Sequence, residues 1–437
     1  WMSWLLHRQN SNNHTNKEGV SAAKRTTTME ELKLPDLECL RDRLHFQCQI
    51  ESFVTKLKTR EIEGSYACAV ATAELFRVLI NDIAIKTPFS SVISIVKSVG
   101  RILEEARPVE LAIGSIVRRV LKIIREENSD LGNLHLGGEV VEECSESVEK
   151  AELSVDSPAC SEGDELLLQK PHSLTVDRAG SCPAGSSLKP VASFTNLLAP
   201  SQGQASGVNT LLTMKTGIQR AISLMIEDEI KFSFSKIREL ADEQIHGGEV
   251  LFTIGESKTV EEFFREARSK CQFSVLVAEC SPDFRGHSMA SKLGTLGIPT
   301  TLISDAAVFS VMPRVDKCFI GAHAILANGG ILAAAGTHMV VLAAHHHAIP
   351  VICLSALYKL TPVYALDNNT FNELGSPDQM LSYEEAQRLE NTEVINPSFD
   401  YIPPDLISLF LTNDGGNDPS YMYRLVLDDY DPEDHIL

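Results

Sequence analysis

Apolar residues recur at three- and four-residue spacing from about Pro35 to Asn128, with few strand signals, and predict an all-helical N-terminal domain over residues 35–128. The clearest stretch is IGSIVRRVLKIIREE. There Ile113, Ile116, Val117, Val120, Ile123 and Ile124 share one stripe, while Arg118, Arg119, Lys122 and Arg125 take the remaining surface. One side packs and the other carries positive charge, either as a solvated face beside Glu126 and Glu127 or as a partner-binding face.

A second helical pattern, GIQRAISLMIEDEIKFSFSKIRELADEQI, fills residues 207–246 and predicts connecting helices. After Gly247 the grammar becomes strand alternating with helix. Val250–Ile254, Phe273–Ala278, Thr300–Ser304, Lys317–Ala322 and Val351–Ser355 are near-continuous apolar runs, as parallel strands covered on both faces must be. Residues 247–437 are therefore expected to form a Rossmann-like, doubly wound parallel sheet, giving an α/β chain with a helical N-terminal part.

Composition adds two segments without such patterns. Residues 129–206 carry ten carboxylates from Glu139 to Glu165 opposed only by Lys150, then turn rich in Ser, Pro and Gly. Such a stretch buries too little apolar surface to offset about 1–2 kcal/mol of backbone entropy per residue, and predicts a disordered acidic insert. Residues 1–34 are expected to form a disordered leader, whose polar run from Gln9 to Thr28 resembles leader or upstream sequence, with Met29 as a second candidate start.

The formal charge of −20 argues against nucleic acid as the main partner, because phosphate binding needs a surplus of Lys and Arg. With 43% hydrophobic residues and no long apolar run, the chain is expected to be cytosolic, with a real core and no membrane contact. Its ten cysteines form no CxxC pair and read as reduced thiols, mostly small buried hydrophobes. His338, His345, His346 and His347 invite a metal, but consecutive histidines on a helix point in different directions. Neither metal nor cofactor is expected, and the run before Pro350 fits a helix C-terminus.

Ligands of an open parallel sheet bind beyond the carboxyl ends of its strands. Those ends hold Gly255 and Ser257, then Glu279 and Ser281, then Asp305, then His323, a set sparse in catalytic groups. No dinucleotide fingerprint or Walker A sequence follows any strand, and NGGILAAAG reads as a loop with close helix packing. Asp305 is expected to cap the helix that begins at Ala306.

The segments VLFTIGESKTVEEFF, VAECSPDFRGHSMASKLGTLGIPTTLISDAAVFSVMPRVDKCFIGAHAILANGGILAAAGTH and FDYIPPDLISLFLTNDGG resemble one superfamily over most of residues 211–437. It contains the alpha, beta and delta regulatory subunits of initiation factor 2B, together with isomerases of methylthioribose 1-phosphate and ribose 1,5-bisphosphate. The helical part matches chiefly through VRRVLKIIREE, and the acidic insert does not match. The resemblance implies that those isomerases place a cysteine after the first strand of this domain and an aspartate after the fourth. Gly255 and His323 stand at the matching positions, Ala324 and Ser281 replace two arginines, and Gly330 replaces the aspartate of the Asn328–Gly329 turn.

A proton shuttle between adjacent carbons needs a positioned acid and base, so these replacements point away from the isomerases. The resemblance then implies a non-catalytic regulatory subunit of the exchange factor. It would pair with a delta subunit and join alpha, gamma and epsilon subunits in a decamer. It would also help bind the alpha subunit of initiation factor 2 and make exchange sensitive to that subunit's phosphorylation. The resemblance places His287 near a subunit interface, and Tyr421 and Tyr423 beside Arg424 read as interface or terminal packing. An isomerase or a metabolite-sensing relative is the alternative.

Overall fold

The apolar runs after Gly247 become strands β1 (Val250–Ile254), β2 (Ser274–Ala278), β3 (Thr300–Ile303), β4 (Lys317–Gly321) and β7 (Val351–Leu354), within a residue or so of their predicted ends. In this computed structural model the described residues are 43–84, 87–136, 206–365, 371–388 and 391–437. The leader and most of the acidic insert lie outside them. Those of residues 1–129 and 211–437 belong to one compact unit, and residues 130–210 to another.

Seven strands make the main sheet in the order β10-β9-β7-β4-β1-β2-β3, where β9 is Leu409–Thr412 and β10 is Gly415–Asn417. All neighbours are parallel except β10, which turns back antiparallel on β9. The chain builds outward from β1 through β2 to β3, then crosses back to place β4 on the other side of β1. A crevice follows between the carboxyl ends of β1 and β4, because the connections leaving them diverge to opposite faces.

A small antiparallel sheet, β5 (Ala324–Ile325), β6 (Ile331–Ala334) and β8 (Phe399–Ile402), was not foreseen. It corrects the reading of NGGILAAAG, whose ILAA is strand β6. The run is too short and too rich in alanine to carry a strand signal by itself, and its pairing with β8 lies far off in sequence.

The N-terminal helices are α1 (Arg43–Lys58), α2 (Ser65–Asp82), α3 (Phe89–Ala106) and α4 (Leu111–Leu136), the last running past residue 128. The connecting pattern gives α5 (Ser206–Leu224), a π-helical stretch Met225–Lys231 and α6 (Ser233–Glu239). Their apolar stripes share one core with α7 (Lys258–Lys270), α8 (Arg285–Thr295) and one face of the sheet. Phe263, Phe264, Phe273 and Phe319 interlock there at centroid spacings of 5.4–6.4 Å. On the opposite face α9 (Val308–Val311), α10 (Thr337–His346) and α12 (Met422–Asp429) close a second core. Between β7 and β8 lies the single-turn α11 (Tyr383–Ala386), started by a full capping box from Ser382 and Glu385.

The basic side of α4 is neither a solvated face nor an open one. Arg118, 3% exposed, binds Glu104 at 2.9 Å and donates to the carbonyls of Asp434 and His435. Arg119 pairs with Glu229 at 2.6 Å and Asp429 at 2.9 Å, and Lys122 donates to the Asp428 carbonyl. Arg125 meets Asp434 and Glu433, each at 2.9 Å. The acidic C-terminal segment thus lies along α4, and Leu437 is buried in the core beside it.

Asp434 is fully buried, between Arg125 and Lys97, the latter at 2.8 Å. Burial opposes its ionisation, but hydrogen bonds from Arg125 and Lys97 outweigh burial and hold the carboxyl below its ordinary range. Breaking such a buried pair from one side costs about 3–5 kcal/mol. Asp434→Asn is therefore expected to lower the denaturant midpoint at pH 7 with little change in slope. Because the folded pKa lies below the unfolded one, the carboxylate's contribution is complete above about pH 4 and fades as pH falls through the folded value. The gap between wild type and variant should close in acid; a gap of equal size at low pH would contradict this.

Candidate functional site

At the switch point the N-terminal helices reach over the carboxyl ends of β1 and β4 and leave two adjoining cavities. One, of about 250 Å³, lies among Arg60, Arg107, Glu110, Cys280, His323 and Glu373. The other, of about 340 Å³, lies among Tyr66, Phe234, Ser257, Lys258, Tyr358 and Lys359, and His323 borders both.

Gly255 has φ +65°, a backbone region that glycine enters without the penalty of a Cβ. A Cβ there would sit 3.5 Å from the Sγ of Cys280, at the end of the next strand. A thiol therefore stands beside Gly255, supplied by the loop that follows β2. Its S–H donates to the Ala335 carbonyl at 3.6 Å, and burial followed by the Asp305 carboxylate pushes its pKa up to about 11.

Asp305 does not cap its own helical turn. Its two oxygens accept from the backbone N–H groups of Cys280 at 3.0 Å and Ser281 at 2.7 Å. Those bonds hold the loop after β2, in which Cys280 and Phe284 both take left-handed φ values. The start of α8 packs so closely behind this loop that a Cβ on Gly286 would lie 2.0 Å from the Ala278 carbonyl. Ser257 occupies the N-cap of α7 without a side-chain cap, and its Oγ fills space that a side chain at Gly321 would need.

His323 is the most constrained residue of the set. Its backbone N–H donates to Leu332, its carbonyl accepts from Ser65 Oγ, and its ring stacks on Phe399 at 4.3 Å. Burial, with Lys359 nearby, pulls its pKa down to about 3, so the imidazole is neutral. Its Nε2 faces Glu110 Oε2 at 3.3 Å, and neither atom has another hydrogen-bond partner. Burial also pushes Glu110 upward, against the pull of Arg107. One proton carried by Glu110 and directed at Nε2 answers both atoms at once. Lys359 donates to the Ala322 carbonyl at 2.8 Å, and burial brings its pKa down to about 8.

Of the sequence-derived pocket set, Ser281 and His323 line the smaller cavity and Ser257 and His323 the larger. Asn328 and Gly329 line neither. Asn328 bonds Tyr401 Oη and the Gly330 N–H, and Gly329 at φ +79° lets the turn approach the Pro419 carbonyl. Glu279 lies 3.9 Å from His287, which packs edge-on against Phe284. Tyr421, just before the C-terminal helix α12, and Tyr423, on it, are exposed, with Arg424 over the Tyr421 ring. The sequence reading did not single out Glu110, Arg107 or Lys359. The available signal for Glu110 was a lone carboxylate at the head of the apolar run LAIGSIV.

Among the described residues no group of His, Cys, Asp and Glu is placed to hold a metal ion, and no helix is long and apolar enough to cross a membrane. His345 and His346 end α10, as their place before Pro350 suggested. The crevice thus offers a protonated thiol, a neutral imidazole and a carboxyl that share their hydrogen bonds internally.

The whole-chain comparisons agree with this architecture. Translation initiation factor eIF2B subunit beta of Schizosaccharomyces pombe is 37% identical over 398 residues, covering 90% of this chain and 98% of the relative. Its counterpart from Dictyostelium discoideum is 38% identical over 389 residues, covering 88% and 95%. The crystal structure of eIF2B beta from Chaetomium thermophilum superposes with a TM-score of 0.61 at 26% identity, covering 89% of this chain and 94% of that one. A chain of the tetrameric eIF2B-beta2-delta2 complex from C. thermophilum gives 0.59 at 25% identity, covering 88% and 95%. The model of the initiation factor 2 subunit family matches residues 61–419, and the chain belongs to that family.

Proposed function

We propose that this chain is a non-catalytic regulatory subunit of the guanine-nucleotide exchange factor for translation initiation factor 2. In that role it pairs with a delta subunit and assembles with alpha, gamma and epsilon subunits. It helps bind the alpha subunit of initiation factor 2 and transmits that subunit's phosphorylation state, as a cytosolic protein. The observation that carries the reading is near-complete coverage of the two beta relatives, 98% of one and 95% of the other, at 37% and 38% identity. The C. thermophilum tetramer, a complex of beta and delta chains, supports the pairing. Co-expression with a delta-type chain is expected to yield a stable heteromeric complex on size exclusion. Recovery of this chain as a stable monomer that ignores the delta-type chain would sink the proposal.

One observation favours the isomerase alternative: Cys280 and Glu110 bring a thiol and a carboxyl back into the crevice from other elements. Magnitude decides against it. A thiol with a pKa of about 11 is a thiolate in roughly one molecule in ten thousand at pH 7. Glu110 is already engaged with His323 and Arg107. The purified chain is expected to give no turnover of methylthioribose 1-phosphate or ribose 1,5-bisphosphate above background. Turnover that disappears in Cys280→Ser would reverse the assignment.

A further inference from the structure

We propose, independently of the assembly reading, that the excursion between β7 and β8 is a docking platform for a basic amphipathic segment of a partner protein. Such a segment has apolar residues on one side and Lys or Arg on the other. The platform has two faces, and the inner one closes the smaller cavity. Glu373, Gly375 and Asn396 line that cavity, and Glu373 meets Arg60 and Arg107 from the N-terminal helical part. Leu374 stands opposite Pro397 in an antiparallel pair, where the Gly375 N–H donates to the Asn396 carbonyl at 2.7 Å and the Ser398 N–H to the Glu373 carbonyl at 2.8 Å. Asn396, 6% exposed, donates from Nδ2 to the Ser376 carbonyl at 3.0 Å and to Gln379 Oε1 at 2.8 Å, which ties the turn leading to α11 onto the pair.

The outer face is uncovered. Alternation along the pair turns Asn396 inward and Leu374, Ile395 and Pro397 outward, since Ile395 lies two residues from Pro397 and shares its side. Leu374 is 62% exposed and Ile395 56%. Met380, just past the tied turn, is 53% exposed, and Tyr383, which opens α11, is 72% exposed. Single apolar residues scattered over a surface need no explanation, but four large ones carried by one tied excursion mark an interaction surface. The hydrogen bonds beneath them fix the backbone in advance, which lowers the ordering cost when a partner docks.

Charge around these side chains selects the partner's chemistry. Asp378, Glu384, Glu385 and Glu393 are exposed on the same excursion, and Arg388 is the one basic residue among its described positions. Glu385 closes the capping box of α11, and none of the four carboxylates is in an ion pair among the described residues. A segment bearing Lys or Arg meets these carboxylates at the rim while its apolar side covers Leu374, Met380, Tyr383 and Ile395. Tyr383 also offers its ring face to an incoming guanidinium or ammonium. An acidic segment or a nucleic acid would meet like charge instead.

Fluorescence anisotropy on the full chain tests this with two labelled peptides of about 18 residues that share a leucine face, one carrying lysine and the other glutamate on the polar face. The lysine peptide should bind at least about tenfold more tightly than the glutamate peptide and weaken as salt rises. Tyr383→Ser and Leu374→Ser should each weaken it by about fivefold or more. Leu342→Ser, at a 50% exposed position on α10, should leave it unchanged. The double reversal Glu384→Lys with Glu393→Lys should cut lysine-peptide affinity by about tenfold and raise that of the glutamate peptide, a swap that loss of fold cannot produce. Equal or tighter binding of the glutamate peptide, no binding of the lysine peptide, or an affinity that follows Leu342 and ignores the substitutions on the excursion would each overturn the assignment.

Discussion

Between Ala112 and Arg125 helix α4 is packed along its apolar stripe and paired along its basic side, and the rest of the unit depends on how that is achieved. Its apolar stripe, Ile113, Ile116, Val117, Val120 and Ile124, has no exposure at all. Its arginines are covered as well, and a buried guanidinium is tolerable only when carboxylates and carbonyls meet it. The C-terminal segment supplies both. Ser115 and Tyr430 add a neutral tie, each donating to the Leu360 carbonyl, at 2.7 Å and 2.6 Å. The last residues of the chain, the connection after β7 and an N-terminal helix are thus fixed to one another. Glu110, the residue just before α4, is set over the end of β4 by the same arrangement.

The crevice is consequently made from two distant parts of the sequence. A doubly wound sheet cannot avoid a cleft at its switch point, because the cleft comes from strand order and not from side chains. What fills the cleft is free to change. The position after β1 is a glycine in left-handed conformation, which brings no titratable group, and the position after β4 is a neutral histidine stacked on Phe399.

Much of the sheet was legible because a strand buried on both faces writes itself as a continuous apolar run, as in VLFTI and VICL. Strands β5, β6 and β8 were not, since each is short and its pairing is decided far away in sequence. Strand ends named the right neighbourhood: Ser257, Ser281 and His323 do border the cavities. Partners are another matter. That Asp305 would hold the loop after β2, or that Arg125 would find Asp434, is a long-range fact with no local periodicity to announce it. The four basic residues of α4 looked like a surface because amphipathic spacing cannot distinguish water from an acidic tail lying along the same face.

Packing inside the cleft follows the same rule of mutual satisfaction. A catalytic crevice needs groups left unsatisfied until substrate arrives, and each buried group so left costs about 1–3 kcal/mol. Where no reaction has to be supported, side chains that satisfy one another inside a cleft are favoured. Arg60 with Glu373, Lys359 with the Ala322 carbonyl and Glu110 with His323 are such closures. They stabilise the contact between helices and sheet at the point where an enzyme would keep it open.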